Sequence, residues 1–97
     1  MERPNYYAII TADVRYDDRL CANAKLLYAE ITALSHARDY CWASNGYFAK
    51  LYNVEVRTVQ RWIEQLARFG YVKVNRSKET SAKRQLIPLS KKPTVSR

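Results

Sequence analysis

Glycine and proline are scarce in this 97-residue chain, with two of the former and three of the latter. So few flexible and breaking residues argue for helices joined by short turns, against a disordered chain or a many-turned barrel. Histidine occurs once, at His36, and cysteine twice, at Cys21 and Cys41. A structural zinc site wants four such ligands in closely spaced pairs, so no metal or other cofactor is expected; both thiols read as reduced and half-buried, with a Cys21–Cys41 disulfide as the alternative. No apolar run approaches the roughly 18 residues of a membrane span. The segment Met1–Tyr7 lacks the basic-then-apolar pattern of a signal peptide, so the expected compartment is the cytoplasm. Nucleophile–base pairs and glycine-rich phosphate loops are also missing, which argues against an enzyme. The adjacent Asp17 and Asp18 lie in a polar stretch and read as solvated turn residues, not as a catalytic pair.

Acidic residues are scarce in one half only. Up to residue 56, six cations (Arg3, Arg15, Arg19, Lys25, Arg38, Lys50) meet seven acids, for a net charge of −1. From residue 57 onward, eleven lysines and arginines meet only Glu64 and Glu79, for a net of +9. The whole excess of +8 therefore sits in the second half, which favours a polyanionic partner. Charge alone leaves DNA, RNA and an anionic membrane open.

What is present is mostly helical periodicity. Tyr6–Thr11 is β-branched and aromatic and reads as a short strand or extended arm, and Asp13–Arg19 as a loop. From Ala22 to His36, Leu26, Leu27, Ile31 and Leu34 recur at helical spacing, broadened by Ala24 and Tyr28. His36, near the end of that helix, reads as a helix-end partner. Tyr40-Cys41-Trp42 can pair as a very short strand. Ser44 is a good N-cap for a helix over 45–52 that buries Phe48, Ala49 and Leu51. Asn53 suits a left-handed turn. A second helix over 55–69 turns Val59, Trp62, Ile63 and Leu66 inward and stops at Gly70. Its outer face carries Arg57, Thr58, Gln60, Arg61, Glu64 and Arg68. Tyr71–Arg76 alternates apolar and polar, residues 77–82 form a polar tip, and Arg84–Ile87 returns as a second strand. Trp42, Phe48 and Trp62 are expected in the core, since platforms for single-stranded nucleic acid need aromatics exposed on a sheet face.

Two short helices joined by a tight turn and followed by a basic hairpin have the order of a winged helix-turn-helix. The expected class is α+β, a three-helix core with a C-terminal β-hairpin wing, with double-stranded DNA as partner. The expected layout is an arm over 1–19, the winged domain over 20–88 and a basic tail or linker over 89–97. Arg57, Gln60 and Arg61 stand where base edges are reached, and Arg pairs with guanine and Gln with adenine. Thr58, Asn45 and Lys50 suit the phosphate backbone. Lys73, Arg76, Lys78, Lys83 and Arg84 are wing candidates for phosphate or minor-groove contact. Glu55 favours the helix dipole but repels phosphate, and a cytosine amino group is the base atom it can accept from.

The stretches Leu20–Leu34, Cys41–Asn45 and Arg57–Ile63 resemble one family, the winged helix-turn-helix module of plasmid and phage replication initiators of Gram-positive bacteria (RepA-type initiators and DnaD-like replisome organisers). The resemblance covers roughly Tyr6 to Val74. It implies binding to origin repeats, often as a homodimer, contact with the replication machinery through a longer C-terminal region, and a nucleoid- or plasmid-associated place in the bacterial cytoplasm. The chain departs from the family at Cys21 and Glu55, where Ser is usual, and at Asn53, where Gly is usual. It ends near where the family's second region begins, which leaves a piece of a longer initiator or a small stand-alone protein. A transcriptional or phage-regulatory repressor and a protein-interaction module stay open as alternatives, and the tyrosine pair Tyr6-Tyr7 can serve a dimer contact.

Overall fold

The computed structural model describes residues 7–36, 38–76 and 84–89. The elements run α1 (Ala12–Arg15), α2 (Ala22–Leu34), α3 (Asn45–Tyr52), α4 (Val56–Arg68), β1 (Val72–Arg76) and β2 (Arg84–Pro88). Helix α4 packs on both α2 and α3, and the β1–β2 hairpin closes the core against α2 and α4. This is a winged helix-turn-helix, as the order of elements in the sequence implies.

Local chemistry sets the two ends that matter most. The Ser44 hydroxyl accepts from the Tyr47 N–H at 3.1 Å and starts α3. Asn53, at φ 57°, ends it in a left-handed turn. There the N–H groups of Asn53 and Val54 donate to Lys50 and Ala49, the paired bonds that close a helix at a left-handed residue. Gly70 (φ 83°) repeats the device after α4, where the Gly70 and Tyr71 N–H groups donate to Ala67 and Leu66. Thus α4 spans Val56–Arg68, with Glu55 and Phe69 as its flanking caps.

Phe48, Leu27, Ile31, Leu66, Leu86, Val14, Val59 and Cys41 form the driest part of the core. In the hairpin, Val72 faces Pro88, Val74 faces Leu86 and Arg76 faces Arg84. Cys41 adds a third edge by pairing with Leu86 through reciprocal 2.8 Å backbone bonds. The very short strand expected over Tyr40–Trp42 is thus reduced to a single bridge at Cys41, on the edge of β2 away from β1.

Four expectations are corrected. Residues 7–11 form no strand, which leaves the arm of the two readings, but the segment read as a loop contains the helical turn α1, with Thr11 at its N-cap position. Val14 of that turn is fully buried. Asp17 is no solvated turn residue. Its carboxylate is paired with Arg19 through contacts of 2.9 and 2.6 Å and accepts from the Tyr71 hydroxyl at 2.7 Å. Arg19 also stacks over Phe69, 4.1 Å from its ring centroid, so this cluster ties α1 to the start of the wing. Leu26 is exposed on the outer side of the α2 stripe, and Trp42, expected in the core, is 64% exposed. Trp42 lies between buried Cys41 and Ala43, and the alternation of an extended chain turns it outward.

Candidate nucleic-acid interface

Helix α4 is divided lengthwise. Val59, Trp62, Ile63 and Leu66 are buried, while Arg57, Gln60, Arg61, Glu64 and Arg68 are exposed. The exposed set recurs at intervals of three and four residues, so it forms one polar stripe along the helix. Thr58 is half-buried at the stripe's edge. Glu55 is exposed at the start of α4 and makes no side-chain cap bond there. Within the stripe, the Gln60 amide donates weakly to Glu64 at 3.4 Å.

A groove of about 620 Å³ runs between α4 and the wing. Gln60, Ile63, Glu64 and Ala67 line it from the helix, Val74, Arg76 and Arg84 from the hairpin, and Asn45 from the start of α3. The hairpin register sets Arg76 directly opposite Arg84. Like charges facing each other across a strand pair are destabilising. Arg84 donates from Nη2 to the Ala43 carbonyl at 3.0 Å. Among the described residues, its Nε and the Asn45 Oδ1 are buried without a hydrogen-bond partner. Burial, followed by the Arg76 charge, pushes the Arg84 guanidinium below its ordinary pKa. The groove therefore holds two opposed guanidinium groups beside the Glu64 carboxylate, and an anion between the two cations offsets their repulsion.

The structure thus brings Asn45, Gln60, Arg76 and Arg84 together and sets Arg57 and Arg61 on the stripe beside them. Lys50 is exposed on the last turn of α3. Lys73 falls on the opposite face of the hairpin from Arg76, by the pleat of β1. Lys78 and Lys83 lie outside the described residues. Sequence reasoning did not include Glu64 as a groove residue, although its place one turn beyond Gln60 was visible. It also missed that Arg84 shares the inner face with Leu86, which the alternation of β2 carries.

Among the described residues, no group of three or more His, Cys, Asp or Glu side chains converges as a metal site, and no helix is long and apolar enough to cross a membrane. The sequence pattern of the Helix-turn-helix domain family matches residues 19–72, from just before α2 through α4 to the first residue of β1. No curated protein and no solved structure matches the chain.

Proposed function

Because this chain belongs to the helix-turn-helix domain family, we propose that it binds double-stranded DNA with α4 in the major groove. The observation that carries this reading is the Arg76–Arg84 pair beside the polar stripe of α4. A phosphate between the two guanidinium groups neutralises their repulsion and anchors the backbone next to the helix. Arg57, Gln60 and Arg61 then read base edges, Thr58, Asn45 and Lys50 approach the backbone, and Glu55 accepts from a cytosine amino group or holds phosphates off.

The finer reading is a module of a plasmid or phage replication initiator in the bacterial cytoplasm. It acts as a homodimer on repeated sites, and the winged domain spans 20–88. Its support is the sequence resemblance alone. Selection of bound genomic fragments, followed by footprinting, tests both levels. Enriched sites at replication origins support the initiator role, and enriched sites at promoters replace it with that of a repressor. At the coarser level, Arg57→Ala/Arg61→Ala binding the selected site as tightly as wild type overturns the assignment of α4 as the reading helix. Absence of any duplex binding at about 50 mM salt, where phosphate attraction is strongest, overturns DNA binding itself.

A further inference from the structure

The α4 stripe and the groove use one face of the wing, and the other face carries a large aromatic side chain in water. Trp42 is 64% exposed, whereas the chain's second tryptophan, Trp62, is 8% exposed. The Cys41–Leu86 pairing sets Trp42 beside Gln85 when the antiparallel register is continued by one residue, and Tyr40 beside Ile87. The bond from Arg84 to the Ala43 carbonyl agrees with that register. Across β2, Gln85 faces Asn75 and Ile87 faces Lys73. Trp42, Gln85 and Asn75 therefore form one row of the outer sheet face, and Tyr40, Ile87 and Lys73 the next. The Trp42 row lies toward the basic end of the hairpin, one residue from the Arg76–Arg84 pair.

This composition is an aromatic plate, two amide side chains and an ammonium group on a pleated surface. We propose that the outer face of the wing is a stacking site for an unpaired base of single-stranded nucleic acid. A paired base inside a duplex has both faces covered by its neighbours, so an exposed indole finds a free π-face only on an unpaired one. Stacking accepts any base, and the neighbouring amides of Gln85 and Asn75 can bond to base edges. Charge complementarity selects nucleic acid over an apolar peptide. Lys73 stands on this face, and the half of the chain that holds the wing carries a net of +9. This site is separate from α4 and does not depend on the duplex reading.

The test uses the whole chain and an oligothymidylate of about ten nucleotides, within the usual span of such sites. Trp42, being exposed, dominates any change in indole emission on binding, because Trp62 is shielded in the core. Stacking is expected to quench that emission. Trp42→Ala should weaken the oligonucleotide about 5- to 150-fold by competition anisotropy, the range that one stacked base supplies. Trp42→Phe should restore most of the affinity, and Trp42→Gln should not. Removing an exposed side chain leaves the core untouched, so an unchanged thermal midpoint certifies the variants as folded. Equal affinity of Trp42→Ala and wild type overturns the proposal. So does an equal loss on a closed circular duplex, which exposes no terminal base pair and assigns Trp42 to the duplex interface. Self-association of the wild type that disappears in Trp42→Gln, with no oligonucleotide binding, gives the face to a second copy of the chain instead.

Discussion

Salt dependence gives the sharpest test of the groove, because it counts phosphates. Five described arginines, Arg57, Arg61, Arg68, Arg76 and Arg84, lie on the stripe or in the groove. If Arg57, Arg61, Arg76 and Arg84 each displace about one counterion, two of them at bases and two around the shared wing phosphate, the plot of log affinity against log salt has a slope of about −3.6. Raising salt from about 50 to about 200 mM then weakens binding by about 150-fold. Engagement of Lys78 and Lys83 as well steepens the slope to about −5.4. Arg76→Ala removes one contact, so its slope should be shallower by about 0.9, and the same rise in salt should weaken it about 3.5-fold less. Arg76 is exposed and opposes Arg84, so its loss relieves a like-charge pair and should leave the fold as stable or slightly more so. Anisotropy of one labelled duplex across a salt series measures both slopes. A wild-type slope shallower than about −2, or a slope unchanged by Arg76→Ala, refutes a phosphate seated between the wing arginines.

The Arg19 guanidinium and the Tyr71 hydroxyl hold the Asp17 carboxyl well below the usual carboxylate range. Its stabilising effect is complete above about pH 4 and is lost as pH falls further, so thermal midpoints by circular dichroism should drop in acid, and less steeply in Asp17→Asn. At the other end, burial and then the bond to Asp17 push the Tyr71 hydroxyl up to about 12, so stability should also decline as pH rises above about 10. Burial pushes the Cys41 thiol up to about 11, while Cys21 is exposed. A thiol reagent near neutral pH should therefore label Cys21 in seconds to minutes and Cys41 only on unfolding, and two equally fast thiols refute this placement. Asn53→Ala keeps the left-handed turn without the local tolerance of Asn and should lower stability by about 1 kcal/mol, a shift of about 4–8 °C in the midpoint, whereas Asn53→Gly should not lower it.

What was legible in the sequence is what local chemistry decides. Ser44, Asn53 and Gly70 each carry their own reason for a helix to start or stop, and α3 and its turn fall where those residues place them. The inner stripe of α4 is long enough for its period to fix which face is buried. Short segments failed for the same reason. With four residues, α1 is too short to show a period, and the partner that orders the loop after it, Tyr71, lies 54 residues away from Asp17. Trp42 was misplaced because a preference for burying large aromatics was applied where strand phase decides. Cys41 and Ala43 on either side of it face the core, and a segment that short cannot set its phase until Leu86 pairs with it.

The Arg76–Arg84 pair is the place where the sequence disagrees with its own fold. Along the rest of the hairpin the inner face is apolar, with Val72, Val74 and Leu86 packed against or within the core. At the tip end the same register brings two cations face to face and leaves Arg84 Nε buried without a partner. An apolar or neutral pair there would satisfy the hairpin better, so folding alone gives no reason for two arginines. The conflict is confined to the stretch beside the exposed stripe of α4. The groove offers an anion two guanidinium groups, set against the one carboxylate, Glu64, that lines it from α4. On the proposed reading, the two cations outweigh that carboxylate and would draw a DNA backbone along the wing side of the helix, so the groove would set how α4 meets the bases.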